Sequence, residues 1–321
     1  MVNEEVRFSN ALKSIARDLG LKSYIQHSED LYPIFMKGAK RFVAGETRRE
    51  GLERVMSLSR EGHEASLEYL GENTSTEEEC ILAKNEFRDI INDLGAAELK
   101  ATVSFDLSHI GMMVSEELAL CHLKVLAKEA AEHGIQLMIS MEESAKTDQI
   151  LSIYKKASTE YPNVGITLQA HLKRSDRDLE DLLKYPGRIR LVKGAYQEPK
   201  EVYIPRSAEL DERYIEFVTT CFQHQHPLSI ATHDENILRK LKEKGLLDGS
   251  TVEVEMLDGV RPDLKASLKD SHVQMKVYVT YGSEWYLYLL HRIAEHPANI
   301  YSFISDIIER KHGDGSVASS S

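Results

Sequence analysis

The sequence predicts a closed (β/α)8 barrel preceded by helices. Three observations predict it: after residue 62 short apolar runs recur eight times, each run ends in polar residues, and amphipathic stretches separate the runs. Short parallel strands must be joined by crossovers, and closing the sheet leaves no exposed edge. An open doubly wound sheet is the competing fold, but neither GxGxxG nor GxxxxGK[ST] is present.

The elements follow in order. Residues 4–62 have a helical pattern, and the apolar runs lie at 64–70, 100–107, 135–140, 164–170, 189–195, 228–232, 251–257 and 274–279. The intervening segments 115–134 and 234–245 are typical of helices that end at Gly134 and Gly245. We therefore expect an N-terminal helical segment at 1–62 packing on the barrel, the barrel at 63–311, and a disordered tail at 312–321.

Composition narrows the function classes. The 321 residues carry a net charge of −12 and no long basic run, which disfavours nucleic acid as a partner. Cys80, Cys121 and Cys221 lie far apart, so neither a disulfide framework nor a cysteine metal site is indicated. The chain begins without an apolar leader and has no apolar stretch of about 18 residues. We expect a cytoplasmic protein with at most peripheral membrane contact.

Polar side chains collect at the predicted strand ends, where barrel enzymes place their active sites. Taken singly, each is more often a surface charge, a helix cap or a packed residue than a site residue. Together they indicate a site. They are Glu68, Asp106, Ser140, Glu142, Gln169, His171, Arg190, Lys193, Tyr196, Thr232, His233, Glu255, Asp258 and Tyr278.

Two chemistries are compatible with this set. Acidic residues and histidines can bind a divalent metal for hydrolysis or isomerisation. Alternatively, Arg190, Lys193, Gln169 and His233 can surround a flavin, where cationic donors stabilise the charge that a hydride delivers. The absence of HExxH, and the position of the His224/His226 pair before the sixth strand, favour the flavin.

The chain resembles the proline dehydrogenase family, FAD-dependent (β/α)8 enzymes that oxidise proline to pyrroline-5-carboxylate. Seven segments carry the resemblance in order: KRFVAGET (40–47), LGE (70–72), VGITLQAHLKRSDRDLEDLL (164–183), LVKGAYQEP (191–199), ATHDE (231–235), VEMLDGVRPDL (254–264) and YVTYGSEWYLYLLHRIAEHPANI (278–300). They cover most of the chain.

The resemblance implies a flavin-binding site. Arg190 matches an arginine near flavin N5, and the flavin-lining or flavin-contacting positions correspond to Lys193, Gly194, Ala195, Gln169, Thr232, His233 and Glu295. Glu255 is a departure, because the family usually has Gln there. An acid beside the flavin opposes the arrival of electrons and is expected to lower the reduction potential.

The substrate positions depart further. The family binds the proline carboxylate with two adjacent arginines and a lysine, while an aspartate orients this cluster. Here the arginine pair is His291 and Arg292, the lysine is replaced by Asp106 and the aspartate by Ser140. The positions that shape the proline slot remain, as Tyr196, Leu257, Tyr278 and Tyr288.

We call positions 106, 140, 291 and 292 the clamp positions, because in the family they bind the proline carboxylate or orient the residues that bind it. Their net positive charge is lost here. Replacing a cation by an anion at ~4 Å from a carboxylate changes their interaction by roughly 8 kcal/mol at an effective dielectric of 20, before screening. We expect free proline to bind poorly and the slot to prefer a neutral or cationic amine, whose ammonium or amide Asp106 would bind.

Three alternatives stay open. Asp106 pairs internally with Arg292 and leaves a site without catalysis; a protonated His291 restores part of the clamp and permits weak proline oxidation; or the protein binds flavin without oxidising amines.

In the catalytic interpretation the neutral amine places its C–H at flavin N5, and Arg190 stabilises the reduced ring. Tyr196 and Tyr278 are the other expected catalytic residues. The resemblance implies a quinone as electron acceptor.

Overall fold

The computed structural model describes residues 4–16, 18–71, 74–271 and 273–308, so the predicted tail at 312–321 lies outside the described residues. The chain divides into two units. The described residues of 44–283 form the barrel unit, and those of 1–43 and 284–308 form a helical unit.

The barrel unit contains eight parallel strands that close in sequence order, β1 to β8, with β8 pairing to β1. Each strand falls on one of the predicted apolar runs, which confirms the predicted fold. The strands are β1 Glu64–Tyr69, β2 Ala101–Phe105, β3 Gln136–Ile139, β4 Val164–Gln169, β5 Ile189–Val192, β6 Leu228–Ala231, β7 Val252–Leu257 and β8 Met275–Tyr281.

Helices lie before and between these strands in the chain. They are α4 Arg48–Arg60, α5 Glu77–Ala96, α6 Glu116–Glu132, α7 Thr147–Ser158, α8 Ser175–Leu182, α9 Ala208–Gln223, α10 Glu235–Glu243 and α11 Pro262–Asp270. Helices α5 to α11 connect the strands, and α4 precedes β1 in the barrel unit. Local sequence explains their limits: Thr76 and Glu79 form a capping box at the start of α5, and Gly134 and Gly245 adopt positive φ just after α6 and α10.

The helical unit consists of α1 Glu4–Ala16, α2 Leu19–His27, α3 Leu31–Ala39, α12 Trp285–Glu295 and α13 Asn299–Ile308. Within it α1 packs along α12, and α3 packs along α13. The predicted N-terminal segment thus contributes α1–α3 to this unit and α4 to the barrel unit; its boundary at residue 62 stays a prediction. In the described ranges of the chain, no helix is both long enough and apolar enough to span a membrane.

The barrel interior near the starts of the strands holds a buried ion pair. Lys276 Nζ lies 2.7 Å from Glu253 Oε1 and donates to Thr102 Oγ1 at 2.9 Å. Ser229 also donates to Glu253. Burial by itself raises the pKa of Glu253, but Lys276 and its other partners hold that pKa below its ordinary value. This pair lies at the end of a barrel that usually serves stability.

We expect Lys276→Met to lower the free energy of unfolding by about 3 kcal/mol at pH 7, because the buried Glu253 carboxylate loses its nearest cation while Arg188 Nη1 stays 3.6 Å away. The pair's contribution is present above the ordinary Glu253 pKa of 4.5 and is lost as the pH falls through the lower folded-state pKa. Urea unfolding at pH 7 and in this acid range measures both effects. The control Lys276→Met with Glu253→Leu removes both charges, and an equal loss in single and double variants would contradict the assignment.

Candidate active site

Arg190, on β5, occupies the centre of the barrel interior. Only 5% of its surface is exposed. Its Nε donates to Thr167 Oγ1 at 3.0 Å, Nη1 to Ser104 Oγ at 3.1 Å, and Nη2 to Ser140 Oγ at 3.0 Å. The guanidinium also lies over the Tyr278 ring, 5.3 Å from its centroid. Contacts to four other strands or strand ends therefore orient this cation.

Glu255, on β7, lies beside Arg190. Its Oε1 is 3.5 Å from Arg190 Nη1, and both side chains are buried. The Oε1 atom has no hydrogen-bond partner among the described residues. A buried carboxylate without hydrogen bonds is costly, so the nearby guanidinium is the contact that stabilises its charge.

The end of β4 carries two buried polar side chains. Gln169 Nε2 donates to the carbonyl oxygens of Met141 and Glu142, at 3.3 and 3.0 Å. His171 Nδ1 lies 2.8 Å from the Lys193 carbonyl oxygen, so this nitrogen donates, and burial lowers the pKa of the imidazole. In the part of the chain that the structure describes, Gln169 Oε1 and His171 Nε2 have no hydrogen-bond partner.

The segment after β5 depends on a glycine. Gly194 has a φ of +106°, and a Cβ there would lie 1.3 Å from His171 Nδ1. The neighbouring Lys193 ammonium contacts Asp211 Oδ1 at 2.6 Å and Asp234 Oδ2 at 2.8 Å. The turn that carries residues 193–195 is therefore held both by close packing and by ion pairs.

Thr232 and His233 follow β6. Thr232 Oγ1 accepts a hydrogen bond from the backbone N–H of Asp234 at 3.1 Å. His233 Nε2 accepts from the backbone N–H of Leu257 at 2.9 Å, so the two predicted residues His233 and Leu257 are in direct contact. This bond requires a lone pair on Nε2, so the ring is the neutral tautomer that carries its proton on Nδ1.

Acidic groups gather at the strand ends near β1–β3. Burial raises the pKa of Asp106 well above its ordinary value, and the charges of Glu68 and Glu142 raise it further. Glu142 is paired with Lys146 at 2.6 Å. Burial also raises the pKa of the Tyr196 hydroxyl, with the Asp106 charge as the next contribution. We call Glu68, Asp106 and Glu142 the acidic mouth cluster.

The remaining predicted residues lie on α12, in the helical unit. Arg292 Nη1 lies 3.0 Å from Glu295 Oε2, one helical turn away. The Arg292 guanidinium also lies over the Tyr288 ring, 4.9 Å from its centroid. His291 precedes this arginine. Glu295 therefore neutralises the cation that remains at the predicted clamp positions.

The comparisons with known proteins agree with this geometry. A model of the family "Proline dehydrogenase" matches residues 51–305. The chain belongs to the proline dehydrogenase family. Over 276 residues it is 33% identical to proline dehydrogenase 1 of Bacillus subtilis strain 168, covering 85% of this chain and 91% of that protein. Over 269 residues it is 34% identical to the proline dehydrogenase of Deinococcus radiodurans, covering 81% and 87%.

A solved structure shows the same fold. Proline utilization A from Bdellovibrio bacteriovorus, inactivated by N-propargylglycine, superposes with a TM-score of 0.78 at 21% sequence identity. The match covers 91% of this chain but only 37% of that longer protein. Family membership confirms the predictions of a flavin-dependent oxidoreductase and of FAD as the cofactor. The roles of individual residues stay predictions.

Sequence reasoning did not identify four residues that make hydrogen bonds inside the barrel or at the strand ends. Ser104 and Thr167 bind Arg190 from inside β2 and β4, and Ser66 bonds to Ser104 at 2.8 Å. Their alternation with buried aliphatic residues was the available signal, because alternate strand residues face the barrel interior. The Glu198 carboxylate accepts hydrogen bonds from Ser144, and nothing in the local sequence indicates that contact.

We expect Gly194→Ala to weaken FAD binding by about tenfold or more. The new Cβ would displace His171, and the positive φ would add about 1–3 kcal/mol of strain to the predicted flavin-lining turn. Fluorescence titration of the apoprotein with FAD measures the affinity. Gly134→Ala is the matched control, since Gly134 also has positive φ but has open space around its Cβ position. Equal FAD affinity in the two variants would remove the 193–195 turn from the cofactor site.

Proposed function

We propose that this protein is an FAD-dependent dehydrogenase of a proline-like secondary amine that lacks a free carboxylate. The carboxylate of Asp106 carries this proposal. In the described part of the chain it has neither a hydrogen bond nor an ion pair, and burial, followed by the charges of Glu68 and Glu142, raises its pKa. An anionic substrate group at this position would add another negative charge to a partly desolvated acidic region.

A neutral or cationic group is better suited to Asp106. A protonated Asp106 can donate a hydrogen bond to an amide or ester carbonyl, and an ionised Asp106 can bind an ammonium. The pairing of Arg292 with Glu295 supports the same conclusion, because a guanidinium already shared with a carboxylate attracts a second carboxylate less strongly.

The side chains around the predicted cofactor seat are compatible with FAD. Gln169 Oε1 is a buried acceptor without a hydrogen-bond partner among the described residues, and Gly194 allows the turn after β5 to pack directly against His171. Lys193, Ala195, Thr232 and His233 are the further residues that we assign to holding it. When bound, FAD supplies the two-electron acceptor for hydride transfer.

The protein's own groups orient the reaction. Tyr196, Leu257 and Tyr278 would shape the slot so that the C–H next to nitrogen points at the cofactor, and the amine lone pair forms the C=N bond as the hydride leaves. Arg190, held by Ser140 and the strand hydroxyls, places a fixed positive charge where negative charge develops. We propose a quinone as the final electron acceptor.

Ordinary proline oxidation is the second candidate. The curated relatives from Bacillus subtilis and Deinococcus radiodurans are both called proline dehydrogenases, at about one-third identity over most of the chain. In this interpretation His291 would be protonated when proline binds and would restore part of the carboxylate clamp.

An anaerobic reduction screen separates these candidates. We expect L-prolinamide or L-proline methyl ester to reduce the flavin at least about tenfold more efficiently than L-proline, because ~1.4 kcal/mol of unfavourable interaction with the carboxylate already gives that ratio. The measurement is the rate of flavin bleaching against substrate concentration, with pyrrolidine as the compound that lacks the ring substituent. Faster bleaching by L-proline would establish the second candidate, and no bleaching by any cyclic amine would contradict both.

Restoring positive charge is a second test. We expect Asp106→Lys with His291→Arg to raise the kcat/KM for L-proline by about tenfold or more and to lower that for prolinamide. The matched control is Asp106→Met with His291→Gln, which keeps similar side-chain sizes without the added charges. If the control improves proline turnover as much as the charged variant, the gain comes from removing the acid and the assignment of the clamp positions is wrong.

A further inference from the structure

The Arg190 guanidinium contacts neutral hydroxyl groups and one carboxylate. Ser104, Ser140 and Thr167 accept its hydrogen bonds, and within the described ranges Glu255 is the carboxylate at ion-pair distance. Hydroxyl groups satisfy the donors of a buried guanidinium but leave its charge uncompensated. The charge of Arg190 therefore depends on Glu255.

We propose that Glu255 is the positioning residue for Arg190, and that its negative charge can be moved to position 140 without loss of that function. Residues 255 and 140 contact different nitrogens of the same guanidinium, Nη1 at 3.5 Å and Nη2 at 3.0 Å. Because β3 and β7 are four strands apart in an eight-stranded closed barrel, the two positions lie on opposite walls. Arg190 lies between them.

The position of the carboxylate that compensates Arg190 determines how much negative charge lies beside the acidic mouth cluster. Ser140 directly follows β3, and its backbone N–H donates to the Phe105 carbonyl, which places it next to Asp106. A carboxylate at position 140 would add negative charge beside the acidic mouth cluster. Placing the carboxylate at Glu255 instead compensates Arg190 from the far wall. With a neutral residue at 140 and the acid at 255, Asp106 avoids repulsion from a neighbouring carboxylate. Positions 140 and 255 are also both among the expected departures from the family pattern.

The proposal is tested by moving the charge. All variants carry Asp106→Asn, so that repulsion between positions 106 and 140 does not obscure the result. In this background we expect Glu255→Gln to lower the melting temperature of the purified protein by about 5 °C or more, because a buried guanidinium loses its counter-ion. Adding Ser140→Asp should recover at least half of that loss.

The matched control replaces Ser140 by Asn instead of Asp, which has nearly the same size and retains an acceptor oxygen but carries no charge. This variant should recover none of the loss. Recovery by Asn equal to that by Asp, or an unchanged melting temperature in the Glu255→Gln variant, would overturn the proposal. If Glu255→Gln yields no folded protein, recovery of folded protein with Asp but not Asn supports the proposal, and recovery with both or with neither overturns it.

The flavin reduction potential provides a readout that a purely structural role would not move. Glu255→Gln should make the potential more positive, because a negative charge beside the electron-accepting ring is removed. Ser140→Asp should shift it back toward the parent value, and Ser140→Asn should not. An identical potential in the Asp and Asn variants would contradict the exchange of charge. These measurements use no substrate, so they remain valid if the proposed amine specificity fails.

Discussion

The burial of one guanidinium is the constraint on which the active-site architecture depends. A closed barrel removes water from its interior, so each Arg190 N–H must find an acceptor on a neighbouring strand. The hydroxyls of Ser104, Ser140 and Thr167 supply these acceptors from β2, the end of β3 and β4. Because side chains alternate along a strand, Thr102 shares the inward face of β2 with Ser104, and Gly165 shares that of β4 with Thr167, so small residues surround the guanidinium on these two strands.

The charged side chains at the two ends of the barrel differ in whether they have partners. Near the strand starts, Lys276 and Glu253 form a close pair with hydroxyl partners, an arrangement that serves the fold. At the other end, the Asp106 carboxylate has neither a hydrogen bond nor an ion pair among the described residues, and Gln169 Oε1 is buried without a hydrogen bond there. Incompletely satisfied polar groups are costly and persist where a ligand uses them. The contrast places the chemistry at the carboxyl ends of the strands.

The expected similarities to the family and the expected departures from it concern different positions of the candidate site. The relatives, about one-third identical, are called proline dehydrogenases. The family resemblance predicts flavin contacts for Arg190, Lys193 and Gly194, and it predicts departures from the family pattern at positions 106, 140, 255 and 291. A change of charge at a barrel mouth alters which substrate groups are favourable there while the packed walls stay the same.

Periodicity and turn chemistry in the sequence were sufficient to predict the barrel. The eight apolar runs coincide with the eight strands, and Gly134 and Gly245 mark helix ends as expected, because these features depend on neighbouring residues along the chain. The location of the site at strand ends also followed, since parallel strands carry their carboxyl ends to one face.

Tertiary structure alone decided which of those residues act together. Ser140 was predicted to lie at the substrate site, and the structure adds that its hydroxyl binds Arg190, 50 residues away in the chain. Glu255 meets the same guanidinium from the opposite wall, and Glu68 and Glu142 join Asp106 although they belong to different strands. These contacts depend on strand register, on which side chains face inward and on closure of the sheet. No local pattern encodes them, because each partner is brought into place by a different strand.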